Sequence, residues 1–391
     1  MEPSNPQPPV LKDKNLHIIF GITLSAVMGV SSIAPALPVI SRALDVSTSQ
    51  IGYLITVFAL PGILLTPFLG VLADRFGRKR ILIPSLFLYG IAGFMCAFTT
   101  SFSELLWLRF FQGAGSAALG VLNVTLIGDL FEGNRRATAM GYNGSVLSVG
   151  TAIYPAIGGV LASIAWNYPF FLSAIAIPVA IYAMIFLDPV PISLNLDLKE
   201  YFQKIKDRIF TKKVLGLFSC VFLTFLILYG GYITYLPILL DEDFAVTSTV
   251  IGLMLSGSSL ITAFTSSKLG DLTKRFSEQQ LILTAAFLYT FIFLCFPFIE
   301  NIWFMAIPIS IFGVAQGINI PSLLNLLTSE VPSEFRAAFL AINWVVIRAS
   351  QTVAPVILGL MYLWFGINGT LYFTAGVGIL FILIAYLAVK R

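Results

Sequence analysis

Gly70-Val71-Leu72-Ala73-Asp74-Arg75-Phe76-Gly77-Arg78-Lys79-Arg80 is a short charged turn set between two long apolar runs, approximately 50–73 and 80–100. Each run has about the 20 residues a helix needs to cross a hydrocarbon core of roughly 30 Å, and a helix is one of the few backbones that can satisfy its own polar groups there. The turn therefore reads as the loop of a membrane hairpin. Outward from it the same pattern recurs. The chain of 391 residues is 58% hydrophobic and only 11% charged, where soluble domains carry about 25% charge. A mean hydropathy of +0.91 over the whole length leaves too much apolar surface for one packed core. This excludes an ordinary soluble protein and argues against binding of DNA or RNA. Thirty-four Phe and 14 Tyr suit helices that face lipid and end in interfacial belts.

Twelve apolar runs can be delimited, at about 16–40, 50–73, 80–100, 103–130, 137–162, 167–187, 214–240, 249–270, 279–299, 302–329, 336–363 and 367–389. The one long hydrophilic stretch, 188–213, carries Lys199, Lys204, Lys206, Arg208, Lys212 and Lys213 and divides them six plus six. The expected organisation is a polar, Pro-rich tail at 1–15, a first bundle at 16–187, a linker at 188–213 and a second bundle at 214–391. With the N-terminus in the cytoplasm, all but three of the 23 Lys and Arg fall in cytoplasmic segments. The exceptions are Arg42 on the outer face and Arg109 and Arg348 inside helices, while Asp45, Glu104, Asp241, Glu242, Asp243 and Glu300 lie outside. The positive-inside rule thus places both termini in the cytoplasm.

The halves resemble each other at an offset near 200, which is a pattern of membrane transporters built from parallel repeats. Val46-Ser-Thr-Ser-Gln-Ile-Gly52 returns as Val246-Thr-Ser-Thr-Val-Ile-Gly252, and Leu37-Pro38 returns as Leu236-Pro237. Asp74 and Arg78 return as Asp271 and Arg275; Asn143, Pro155 and Gly159 return as Asn343, Pro355 and Gly359; Asp129 and Arg135 return as Glu330 and Arg336. Two such halves enclose a site at their interface. Nothing else in the chain suggests other chemistry. Cys96, Cys220 and Cys295 lie in apolar runs without metal-ligand spacing, and His17 is the lone histidine, so neither a disulfide framework, a metal site nor Ser-His-Asp catalysis is expected. No Walker-type phosphate loop is present, which argues against ATP-driven transport by this chain alone and against a nucleotide cofactor.

The opening stretch resembles the loop signature of the major facilitator superfamily, G-x-L-x-D-R-x-G-R-K, in its twelve-helix drug:proton antiporter branch. The resemblance implies an all-α integral membrane protein, with twelve transmembrane helices in two pseudo-symmetric six-helix bundles. Gly70 is expected to let two helices approach closely. Asp74 and Arg78, four apart, would form a charged latch with Asp129 and with the start of the eleventh helix near Arg336. Leu108-Arg109-Phe110-Phe111-Gln112-Gly113-Ala114-Gly115 is similar to the family's R-x-x-Q-G motif, whose arginine is tied to proton transfer in proton-coupled members. Arg109 stands about 9 Å inside its helix end at 1.5 Å per residue, so snorkelling to the outer interface is the competing reading. Arg348 stands near mid-membrane, where it is either a cavity residue or a hydrogen-bonded structural one.

Gly150-Thr-Ala-Ile-Tyr154-Pro155-Ala-Ile-Gly158-Gly159 is similar to the antiporter signature G-x-x-x-G-P-x-x-G-G, with Tyr154 replacing the glycine before proline. Pro155 is expected to bend the helix, and Gly158 and Gly159 to pack tightly on a neighbour. No acid sits in the middle third of a helix, where drug exporters of this type often hold one. Candidate cavity residues are Arg109, Gln112, Gly113, Asn123, Tyr229, Tyr232, Gln316, Asn319, Asn325 and Arg348, with Tyr229, Tyr232 and Tyr235 spaced by three on roughly one helical face. The expected function is proton-coupled efflux of a small amphipathic molecule by alternating access, in the cell inner membrane. Protons and the bilayer are the partners, and a monomer is expected. The rival is a facilitator or symporter for a metabolite or organic anion, with Arg109 and Arg348 as charge partners.

Overall fold

A computed structural model of the chain describes residues 9–189, 211–330 and 336–388. Residues 1–8, most of the basic linker (190–210), the side chain of Arg336 and the C-terminal Lys390 and Arg391 lie outside the described set. The described chain is almost wholly helical. The first half consists of α1 (Lys14–Ala43), α2 (Thr48–Phe76), α3 (Arg78–Phe98), α4 (Phe102–Leu130), α5 (Gly133–Ile164) and α6 (Tyr168–Phe186). The second half continues with α7 (Lys212–Phe244), α8 (Ser248–Ser267), α9 (Glu278–Phe298) and α10 (Ile302–Ser329). The last helical stretch, Arg336–Ala388, is interrupted at Gly366, whose φ of 66° and ψ of −167° belong to no helix. It is therefore two helices, α11 (336–365) and α12 (367–388), which gives the expected six plus six.

Both halves have dry interiors and greasy outsides, as a multi-pass membrane protein requires. Leu16, Ile19, Leu86, Leu119 and Leu122 are fully buried in the first half, and Leu217, Ile282, Phe293 and Phe381 in the second. Outward-facing Leu64, Phe264, Phe298, Trp303, Phe365 and Leu387 are each more than half exposed, where lipid would cover them. Loop chemistry closes the hairpins. The α2–α3 turn rests on Gly77, whose φ of 98° suits glycine and few other residues. Ser277 opens α9 with a capping box to Gln280.

The two halves meet along two seams, and the repeat residues build both. On one, a methyl at Gly159 of α5 would collide with the Ser248 carbonyl of α8, and one at Gly252 of α8 with the Pro155 carbonyl of α5. On the other, Gly359 of α11 abuts the Ser49 carbonyl of α2, and Gly52 of α2 abuts Pro355 of α11. Close backbone approach across small residues is how apolar helices gain packing energy without a hydrophobic driving force. Gly158 packs within its own half, against the Ser32 carbonyl of α1, while Gly150 sits beside Leu24. The α5 helix runs through Pro155 as one element.

The seams lie toward the end of the molecule where α1 joins α2, hereafter the Arg42 end. Arg42 of α1 makes a bidentate ion pair with Asp241 of α7 there, and Glu242 accepts hydrogen bonds from Tyr362 Oη at 2.7 Å and Thr48 Oγ1 at 3.5 Å. At the opposite, Arg78 end, Gly128, Gly141 and Gly144 face open space. The halves are thus pinned together at one end and splayed at the other.

Candidate functional site

At the Arg78 end Asp74, Arg78 and Asp129 come together, all inside the first half. Arg78 sits 2.6 Å from Asp74 and donates from Nε to Asp129 Oδ2 at 2.9 Å, tying α3 to α2 and α4. The nearby pairs Arg135–Asp13 and Lys213–Glu330 likewise stay within single halves. Gly70 departs from expectation: a methyl there would lie 3.8 Å from Val121, so no helix presses on it in this conformation. The counterpart Asp271 pairs with Lys274 three residues on, not with Arg275.

Arg109 is fully buried and does not snorkel. Its Nε donates to the Leu54 carbonyl at 3.1 Å, and one terminal nitrogen donates to the Gly29 carbonyl at 2.9 Å and to Gln112 Oε1 at 2.7 Å. Its guanidinium lies 4.2 Å from the centre of the Phe58 ring. Gln112 passes the chain on, donating to Ser173 Oγ at 2.8 Å. Gly113 is pressed against the Phe58 carbonyl. These three candidates are therefore in the packed interior of the first half, where they staple α1, α2, α4 and the start of α6, and not on a cavity wall. A buried guanidinium is tolerable here because carbonyls and a ring face take the place of water.

Arg348 behaves differently. It is only partly buried, and it reaches from α11 across to the other half, donating to Ser116 Oγ of α4 at 3.2 Å and to Gln351 Oε1 on its own helix at 3.1 Å. Its guanidinium lies 6.0 Å from the same Phe58 ring that Arg109 addresses at 4.2 Å. Two cations thus flank one aromatic side chain. Among the described residues no carboxylate forms an ion pair with either of them. Trp344, one turn from Arg348 on α11, lies against Gly120 of α4, and both are partly exposed.

The polar candidates divide between the interiors of the halves. Asn123 takes part in a three-helix cluster, donating to Thr23 Oγ1 and accepting from Asn143 Nδ2 at 2.9 Å, while Thr23 donates to Asn143 Oδ1. Asn319 donates to Thr224 Oγ1 at 2.9 Å and to Tyr289 Oη at 3.4 Å. Gln316 is buried with neither amide atom partnered, as is Oδ1 of Asn319 and of Asn343. Asn325 is exposed.

The three tyrosines do not share a face. Residues Ile227–Tyr235 form a π-helical segment, sealed by Thr234 Oγ1 donating to the Tyr229 carbonyl at 2.6 Å. Five-residue hydrogen-bonded turns wind the chain more slowly than α turns, so a spacing of three fans side chains apart. Tyr229 stays partly exposed and stacks on Phe225; Tyr232 is buried flat on Phe312 at 3.8 Å; Tyr235 is buried and stacks on Tyr362.

The Arg42–Asp241 and Glu242–Tyr362 contacts, Ser116 and Thr23 were not singled out from sequence. Arg42 alone carried a signal, as the single basic residue on a face rich in acids.

Comparison with known proteins agrees with this geometry. The sequence matches the Major Facilitator Superfamily over residues 19–242 and 217–391. The chain belongs to that superfamily. It is 27% identical over 344 residues to the bacillibactin exporter of Bacillus subtilis (strain 168), covering 82% of this chain and 83% of the relative. It is 25% identical over 358 residues to the quinolone resistance protein NorA of Staphylococcus aureus (strain COL), covering 90% of each. A bacterial homolog of the human lysosomal transporter Spinster, solved in an inward-facing, unoccupied conformation, superposes with a TM-score of 0.82 at 17% identity over 96% of this chain and 97% of that one. The superfamily fold accounts for the two seams: they are the symmetry-related contacts between its two repeats. Arg348 lies between those repeats, whereas Arg109 lies within one of them.

Proposed function

We propose that this superfamily member is a proton-coupled exporter of small amphipathic compounds, acting as a monomer in the cell inner membrane by alternating access. One observation carries the reading: the halves are joined by glycine seams and an ion pair at the Arg42 end and separated at the Arg78 end. Charge placement assigns the basic Arg78 end, with both termini, to the cytoplasm. The conformation is then inward-open, with Arg42–Asp241 and Glu242–Tyr362 as the outer closure. Rocking about the seams would bring the Arg78 end together, where Asp74, Arg78 and Asp129 already stand preassembled to meet the start of α11. Names of relatives that export bacillibactin or confer drug resistance support efflux over uptake. Acids available for proton coupling are those of the two ends, since none occupies mid-membrane.

The test is substrate-driven proton flux in proteoliposomes with an imposed pH gradient, offering lipophilic cations, neutral amphipaths and organic anions in turn. Dissipation of the gradient by cations or neutral compounds supports the exporter. Movement of anions alone, indifferent to the gradient, would instead favour an organic-anion facilitator, a reading that rests on Arg109 and Arg348 lacking acid partners.

A further inference from the structure

The unbalanced charge between the halves has a chemical consequence. A cation in a low-dielectric region is costly unless a countercharge or a dense set of acceptors faces it. Arg109 has such a set in two carbonyls, an amide oxygen and a ring face, all within one half. Arg348 has two neutral acceptors, Gln351 Oε1 and Ser116 Oγ, and keeps part of its surface open. The neighbouring Arg109 shares Phe58 with it, and among the described residues no carboxylate forms an ion pair with either cation.

The surroundings of Arg348 are aromatic. The Phe58 ring centre lies 6.0 Å from the guanidinium. Trp344 lies one turn closer to the Arg78 end, against Gly120 of α4. A molecule approaching from that end would meet the indole before the guanidinium. A planar guanidinium beside aromatic side chains fits a carboxylate or phenolate carried on a flat ring, by paired charge-assisted hydrogen bonds and ring contact.

We propose that Arg348, beside Phe58 and one turn from Trp344, is a subsite for the acidic group of an aromatic organic anion. The site opens toward the Arg78 end, and binding there replaces the Ser116 contact with a ligand oxygen. Because that contact crosses the halves, the ligand also loosens one tie between them. The proposal rests on the alternating-access reading above and sharpens its organic-anion alternative by naming a substrate class, and its test is arranged to fail separately from the exporter reading.

The probes are 2-naphthoate and its neutral analogue 2-naphthalenemethanol, titrated calorimetrically at pH 7 into the full chain in nanodiscs, with empty nanodiscs subtracted. Naphthoate is expected to bind at least about tenfold more tightly than the alcohol, the scale of one charged hydrogen-bonding group. Arg348→Gln should erase that preference, Arg348→Lys should keep part of it, and Trp344→Ala should weaken both probes. Equal binding of the two probes to the wild-type chain overturns the subsite without any variant being needed, so a misfolded Arg348→Gln protein does not rescue it. An unchanged preference in a folded Arg348→Gln protein overturns it too. Naphthoate that binds with the expected pattern but is not moved in proteoliposomes leaves the subsite standing and sinks the organic-anion transport alternative. Proton-coupled movement of neutral amphipaths, with no preference for naphthoate in binding, sinks the subsite and leaves the exporter reading standing.

Discussion

The interiors of the two halves solve one packing problem with different chemistry. Tyr89 and Tyr289 occupy corresponding places, and Gly113 against the Phe58 carbonyl corresponds to Gly313 against the Ser258 carbonyl. Where the first half has Arg109 and Gln112, the second has Ile309 and Phe312. The first core is stapled by hydrogen bonds from a guanidinium to two neighbouring helices. The second is an aromatic pile in which Phe312 contacts Tyr232, Tyr289 and Phe293. The helix frame tolerates either because it is set by close backbone contacts at the glycines, which both halves share. Polar satisfaction differs as a result: the Gln112 amide is partnered, whereas Gln316, one turn beyond Phe312, has no partner for its buried amide.

The contrast can be broken experimentally, beginning with the aromatic core. Phe312→Ala should cost about 3–5 kcal/mol through the cavity it leaves, read as a large fall in thermal unfolding temperature in detergent. A loss under about 1 kcal/mol would mean that the pile is not what holds the second half. In the first half, Gln112→Leu should cost about 1–3 kcal/mol, because the Ser173 hydroxyl and one Arg109 hydrogen bond lose their partner without water to replace it. A neutral outcome would show that the carbonyls alone hold Arg109. Between the halves, Arg42→Ala removes an exposed pair and should change stability by no more than about 1 kcal/mol. That same amount, applied to the equilibrium between closed and open Arg42 ends, should raise maleimide labelling of a Thr48→Cys probe by up to about fivefold. Unchanged labelling would assign closure to the glycine seams alone.

The smallest effect concerns Asp188, just beyond α6, which accepts from Asn15 at 2.9 Å and pairs with Lys14 at 2.8 Å. Hydrogen bonds from Lys14 and Asn15 hold its carboxyl below the usual range. A lowered folded-state value means that the contribution is present above the unfolded pKa of about 3.9 and fades as pH falls through the lower folded value. The wild-type chain should therefore lose a small stability advantage over Asp188→Asn only below about pH 4. An advantage that persists unchanged into stronger acid would break the assignment.

Much of the architecture was legible before any coordinates. Hydropathy marked twelve crossings because the need for apolar side chains acts locally, over each stretch of about 20 residues. The repeat matches Gly52/Gly252, Pro155/Pro355 and Gly159/Gly359 became the two seams. Asp74 and Arg78 could be paired because a four-residue spacing is a short-range fact, whereas Asp129 joined them only through the resemblance to the superfamily. The candidate site was less legible. Arg109 and Arg348 looked alike in one dimension, as arginines within apolar runs, yet one is internal to a half and the other bridges the two. The tyrosines of α7 share a face only under α-helical winding, and the π segment turns them in different directions.

Composition, apolar run lengths, charge asymmetry and the internal repeat were thus enough to determine a twelve-helix, two-fold pseudo-symmetric membrane protein and the end at which its basic residues gather. Only the tertiary structure decided that Arg109 is a staple, that Arg348 faces across the interface, that Tyr232 is core, and that the halves are closed at the Arg42 end. Span and periodicity are properties of one segment in its solvent. A side chain's partner depends on how two helices are rotated and where their backbones touch, and those are set by contacts between residues far apart in the chain.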